Sequence, residues 1–242
     1  MKVNNFMFLL IIIIFVNYSS QNYLKLTTHK TQNFRIQYDS WQDLIGKKVE
    51  CPNRGVLKNF IIKTSGNQFW YEYQCYSSTN NGVDEGEPII KDSVYTHHYR
   101  YSASFNNDIY QYNKLPISCE VDYGLNAFQI NRETTKVLRL DFNCKGLKPH
   151  TTTKINIQSP TKYYCDNSLK SLADIRVGPT NGETNTNIAY VLRGFKFDMY
   201  SSYCGKTARF LYGYSIIRDM RVSARNYRDT FQRLKNGNNQ KI

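Results

Sequence analysis

Histidine is scarce in this chain, with four among 242 residues. They are His29, His97, His98 and His150, and only the pair in VYTHHYRYS is adjacent. Neighbouring residues of a strand point to opposite faces, so His97 and His98 do not converge on one metal ion. No His-x-Glu, Gly-x-Ser-x-Gly or His-Glu-x-x-His occurs, so the sequence offers no motif for zinc hydrolysis or an elbow-borne serine. No Cys-x-x-Cys occurs either, which gives no support to a zinc ribbon or a thioredoxin-type site. Asp84, Glu85 and Glu87 crowd one loop, STNNGVDEGEP, but without the alternating Asp spacing of a calcium loop they read as solvated. The expectation is a protein without catalytic residues, metal or cofactor.

Long apolar runs are absent beyond the first residues. Met1-Lys2 and FMFLLIIIIFV precede the polar NYSSQ, the pattern of a secretory signal peptide over residues 1–20 and too short for a comfortable membrane span. After the signal, 31 basic residues face 19 acidic ones, a net charge of +12. Such a chain is drawn to anionic surfaces, and among these an extracellular glycan or an acidic protein is expected before nucleic acid. No Asn-x-Ser/Thr sequon follows Asn17, so the mature surface should lack N-linked glycan. The expected location is outside the cell or in a secretory granule.

What is present is a repeat. LKNFII carries Leu57, Phe60 and Ile62; LNAFQI carries Leu125, Phe128 and Ile130; LRGFKF carries Leu192, Phe195 and Phe197. The phenylalanines are 68 and 67 residues apart. Each run is followed by an alternating one. FWYEYQC sets Phe69, Tyr71, Tyr73 and Cys75 on one face; LRLDFNC sets Leu138, Leu140, Phe142 and Cys144 there; FLYGYSI sets Phe210, Tyr212, Tyr214 and Ile216 there. Period-two alternation is the signature of a half-buried strand, so each copy reads as a hairpin. The intervening turns read as KTSGNQ, NRETTK and DMYSSYCGKTAR, the third being the longest, which closure entropy tolerates cheaply. Leu57 and Phe60 stand three apart and so face opposite sides of a regular strand. A β-bulge, or a second layer receiving the leucine, resolves this.

Six cysteines in a secreted chain fit three disulfides. The simplest pairing joins Cys51 to Cys75 and Cys119 to Cys144, each closing a loop of about 25 residues worth roughly 3 to 4 kcal/mol in the chain-entropy model. Ile216 stands where the third copy would carry its cysteine, and Cys165 then pairs with Cys204. Before the first hairpin, residues 21–44 read as an extended lead-in, in which the alternating FRIQY is followed by DSWQDLIG, a single helical turn. After the third, residues 218–242 form a basic segment. Ser223 caps a short helix there, with Tyr227, Phe231 and Leu234 on one stripe and Gly237 as its stop. Arg221, Arg225, Arg228, Arg233 and Lys235 give that helix a basic face for an anionic partner.

The first copy resembles the repeat of dermatopontin-type extracellular proteins: a Trp, then Cys-Pro-x-Gly, then a hairpin ending in aromatic-x-aromatic-x-Cys. The matching residues are Trp41, Cys51, Pro52, Gly55, Trp70, Tyr73 and Cys75. The second copy keeps the cysteines and the last aromatic but lacks the Pro and Trp, and the third loses the terminal cysteine. Gly66-Asn67-Gln68-Phe69 replaces that family's Asp-Arg-x-Trp. Threefold β repeats with internal disulfides also resemble the prism-shaped egg vitelline outer-layer protein. Both resemblances imply a non-enzymatic extracellular binding or matrix role, and neither carries over a ligand residue.

Together these features predict one all-β domain over 45–217. Three repeats (45–112, 113–180 and 181–217) form a β-prism or trefoil-like body in which hairpins too small to stand alone share a core. The predicted core is Phe60, Ile62, Tyr71, Tyr73, Phe128, Ile130, Leu140, Phe142, Phe195, Phe197, Tyr212 and Tyr214. The candidate ligand-binding residues are Tyr95, His97, His98, Tyr99, Arg100 and Tyr101, whose rings and cations suit stacking on sugars or partner surfaces. The expected function is a secreted adhesion, recognition or structural protein. A secreted hydrolase or toxin-like effector with a loop-built site is the competing class.

Overall fold

The computed structural model describes residues 23–52, 55–79, 90–102, 116–134, 137–147, 155–158, 162–164, 169–180, 188–202 and 205–218. The protein is all-β, with its ladders gathered into three antiparallel sheets. In the first, β12 (Arg176–Val177), β4 (Val56–Ser65), β5 (Gln68–Thr79) and β1 (Tyr23–Lys30) lie side by side, with β2 (Phe34–Arg35) also on β5. The second runs β3 (Lys48–Glu50), β8 (Tyr123–Thr134), β9 (Val137–Leu147) and β6 (Ile90–Ser102). The third runs β7 (Ile117–Ser118), β13 (Ile188–Ser202), β14 (Gly205–Arg218) and β10 (Ile155–Gln158), with β11 (Lys162–Tyr164) also on β14. Each sheet is thus a hairpin, an outer strand on its return arm and a short strand on its first arm.

The short strands are exchanged. β3 leads into the first hairpin yet pairs with β8 of the second. β7 leads into the second and pairs with β13 of the third, while β12 precedes the third and pairs with β4 of the first. Val49, Ile117 and Val177 stand opposite Phe128, Phe195 and Phe60 in turn. Those three phenylalanine rings meet one another, with centroids 4.9, 4.9 and 5.0 Å apart. Of the twelve predicted core residues, eight are buried, and Tyr73, Ile130, Phe195 and Tyr212 pack half-buried against the core.

The three-residue spacing is explained by a bulge in every copy. The ladders shift register between Leu57 and Asn59, between Leu125 and Ala127, and between Leu192 and Gly194. The extra residues are Lys58, Asn126 and Arg193, all buried. Burying such groups is costly unless they are hydrogen-bonded. Asn126 Nδ2 donates to the carbonyl of Gly55 at 2.6 Å, and Arg193 Nη2 to that of Cys119 at 2.7 Å. Beside Lys58, Asn59 Nδ2 donates to Pro179 O at 2.9 Å. Each hairpin is therefore bonded, at its bulge, to the segment preceding another hairpin.

The bulges also divide two cores. Leu57, Leu125 and Leu192 belong to the main core, whereas Val56 and Val191, one residue earlier, join a second one with Tyr76, Ile90, Leu147 and Ile217. The second hairpin has Gly124 at this position, where a Cβ would fall 2.5 Å from Val191 Cγ1 and 3.1 Å from Val56 Cγ1. Gly194 serves the exchange itself, since a Cβ there would lie 2.1 Å from the carbonyl oxygen of Ile117 on β7. A 3-10 turn, Trp41–Leu44, and one turn of α-helix, α1 (Leu169–Leu172), add Trp41, Leu44, Leu169 and Leu172 to the main core. The 3-10 turn fits the helical turn expected in DSWQDLIG. Its Asp43 accepts the amides of Gln37 (2.9 Å), Tyr38 (3.3 Å) and Ser40 (3.3 Å).

Cys51 pairs with Cys75 and Cys119 with Cys144, as the sequence suggested. Cys165 and Cys204 lie outside the described residues, as do the signal segment, the acidic loop and the basic C-terminal segment with its expected helix. Two expectations are corrected. Leu57 and Leu125 face Cys75 and Cys144, and their counterpart Leu192 faces Tyr214, so Tyr214 and not Ile216 holds the cysteine's place in the third copy. A slip of two residues keeps every side chain on its face, which makes it invisible to alternation. The third connection is also no long loop. Its strands pair as far as Ser202 and Gly205, just as the first hairpin closes between Ser65 and Gln68. The added residues lengthen the strands instead. Lastly, the lead-in contributes β1, paired with β5 along its whole length.

Replacing Asn126 by Ala leaves the carbonyls of Gly55 and Cys51 without its amide. Urea unfolding should show a loss of about 1 to 3 kcal/mol, the cost of unsatisfied buried polar groups. Gly124→Val overfills the meeting point with Val56 and Val191, for a similar loss of about 1 to 3 kcal/mol. Unchanged midpoints in both variants would contradict this packing.

Candidate functional site

The sequence-selected residues lie on β6, whose thirteen residues form the outer strand of the second sheet. Alternation divides them. Tyr95 and His97 pair in register with Cys144 and Phe142, on the face that β9 turns inward, whereas His98 and Arg100 pair with Asp141 and Arg139 on the other face. Tyr99 and Tyr101 stand opposite Leu140 and Leu138. The six therefore form a strip with two faces, not a single cluster.

On the aromatic face, His97 stacks on Phe142 with centroids 4.9 Å apart and planes 18° from parallel. In the first sheet His29 of β1 likewise stands beside an aromatic of the return strand, 5.5 Å from Tyr73, but with the planes tilted by 31°. Tyr95 is 52 % exposed and meets the edge of Tyr123 at 4.9 Å. The hydrogen bond between these phenols, more than shielding from water, pushes Tyr123 up to about 12. In contrast, burial alone raises the phenol of Tyr71 inside the core.

The polar face centres on Asp141. His98 Nδ1 donates to its Oδ1 at 2.6 Å, and Asn131 Nδ2 and Arg139 Nη2 donate to its Oδ2 at 2.5 and 3.0 Å. Partial burial favours the neutral carboxyl, but the bonds from His98, Arg139 and Asn131 outweigh it and hold Asp141 below the ordinary carboxylate range. Next to this network Arg100 pairs with Glu133 at 3.0 Å. Sequence reading missed Asp141, Asn131, Arg139, Glu133 and Tyr123. The alternation of LRLDFNC does place Arg139 and Asp141 on the outward face, but only the strand register brings β6 beside them.

Among the described residues no group of three or more His, Cys, Asp or Glu is arranged to hold a metal ion. No helix among them is long and apolar enough to cross a membrane. A cavity of about 50 Å³ lies in the main core, walled by Trp41, Phe60, Tyr71, Phe128, Leu172 and Phe195 among others. This is about a third of the engineered cavity that admits benzene, too little room for a ring of that size. Arg221, Arg225, Arg228, Arg233 and Lys235 lie outside the described residues. No family model, curated protein or solved structure matches this chain.

The Asp141 network yields a pH dependence. Because the carboxyl is held lower in the folded than in the unfolded chain, its contribution is present above the unfolded value of about 3.9 and is lost as pH falls through the folded one. The stability gap between wild type and Asp141→Asn in urea should be widest near neutrality and shrink below about pH 4. A gap that stays constant from neutral to acid would contradict it.

Proposed function

We propose that this chain is a secreted, non-enzymatic recognition or structural protein whose three repeats surround an approximate threefold axis as a β-prism. It would act at the extracellular surface, in matrix or in a secretory granule. Support for the arrangement comes from the cyclic exchange of β3, β7 and β12 and from the contact of Phe60, Phe128 and Phe195. The two buried disulfides are compatible with an extracellular protein.

The observation that carries the recognition reading is the two-faced strip of β6. Tyr95 offers an exposed ring on one side, while His98 and Arg100 are held in place on the other by Asp141 and Glu133. Rings with an apolar body and a polar tip suit stacking on sugars and partner surfaces. A guanidinium such as that of Arg100, on an outer strand of a basic chain, suits an acidic partner. An extended acidic glycan, or an acidic protein segment lying along β6, could touch both.

The test is binding of the disulfide-intact mature protein to neutral and sulfated glycans at low and high salt, with Tyr95→Ala and Arg100→Ala alongside. Binding to sulfated polymers should weaken with salt as screening lengths shorten. Tyr95→Ala should raise Kd about fivefold or more, the loss expected for an aromatic anchor worth about 1 kcal/mol. Binding left intact in both variants would remove β6 from the function.

A further inference from the structure

Tyr95 and Tyr123 are neither close in sequence nor on adjacent strands. Tyr95 belongs to β6 and faces Cys144, Tyr123 belongs to β8 and faces Gly146, and β9 runs between them. Gly146 has no side chain to separate the rings, so they meet across the middle strand with centroids 4.9 Å apart and planes at 88°. Tyr95 is 52 % exposed and Tyr123 is half-buried, so both phenols are within reach of a reagent in solution. A second pair, Tyr190 and Tyr214, has centroids 5.6 Å apart, but Tyr214 is 7 % exposed.

We propose that Tyr95 and Tyr123 form a site of oxidative cross-linking, joined as a biphenol by a heme peroxidase supplied with hydrogen peroxide. Each phenol gives one electron and one proton to the oxidised enzyme, leaving a phenoxyl radical. The two radicals couple through ring carbons ortho to their oxygens, and transfer of the two ring hydrogens to the oxygens restores both phenols. Two tyrosines and one peroxide become one biphenol and two waters. The protein loses two hydrogen atoms, and the bond clamps the outer strand β6 to β8. Among the described residues β6 has backbone bonds on one side alone, so the cross-link gives it a covalent anchor and fixes the face that carries Tyr95. The oxidising route implied by the two disulfides suits this chemistry.

The experiment treats the whole disulfide-intact protein, at high dilution, with a heme peroxidase and hydrogen peroxide. The product is then digested and mapped by mass spectrometry. The expected product is a monomer, two hydrogens lighter, in which the peptides containing Tyr95 and Tyr123 are joined. Its blue biphenol fluorescence should be lost in Tyr95→Phe and in Tyr123→Phe, while Tyr190 and Tyr214 stay unjoined. A wild-type map in which those two peptides are not joined, or in which products are mainly intermolecular, overturns the proposal even if a variant fails to fold. Undiminished fluorescence in both folded variants would overturn it as well.

Discussion

The contact on which the rest of this molecule depends is the triangle of Phe60, Phe128 and Phe195. Each ring comes from a different sheet, and each touches the other two at about the same separation. Fully burying a phenylalanine side chain contributes about 1.5 to 3 kcal/mol, and tilted or edge-to-face ring contacts add about 0.5 to 1.5 kcal/mol. No hairpin can gain this alone, because two of the three rings belong to its neighbours. The bulge just before each phenylalanine buries both faces of the first strand: Leu57, Leu125 and Leu192 enter the main core, while Val56 and Val191 join the second and Gly124 leaves room for them.

The bulge residues turn this contact into an interlock. Asn126 and Arg193 reach carbonyls in the segments that precede the first and second hairpins, and Asn59 reaches the segment before the third. Those segments supply the exchanged strands. The two described disulfides work in the same direction, since Cys51 and Cys119 end exchanged strands and are tied back to the hairpin each strand introduces. Where the third repeat has Tyr214, the ring is buried and faces Leu192.

Much of the core was legible from the spacing of Leu, Phe and Ile and from the alternation of the return strands, because a half-buried strand must repeat every two residues. The same periodicity hid two things. It could not distinguish Tyr214 from Ile216, which share a face, and it could not say which short strand joined which sheet. Two- and three-residue strands such as Lys48–Glu50 carry no pattern of their own, and their partners are fixed by tertiary contacts. The β6 residues were visible as a Tyr-rich run, but grouping them by nearness in sequence merged the two faces of a strand. Asp141, which organises one of those faces, lies 43 residues from His98 and is joined to it only by register. The partner residue most relevant to the other face, Tyr123, was hidden for the same reason.

The surface and the core therefore divide the work. Interior aromatics and buried polar bulges hold the sheets together, leaving the outer strand β6 to carry the exposed ring of Tyr95 and the paired guanidinium of Arg100. The most direct test of the interlock is native-state hydrogen exchange of backbone amides in the three return strands, including Tyr71, Leu140 and Tyr212, followed against denaturant. Shared cores and exchanged strands predict that all three converge on one opening free energy with one denaturant slope. A hairpin that opens at lower free energy with a shallower slope, while the other two stay protected, would contradict it.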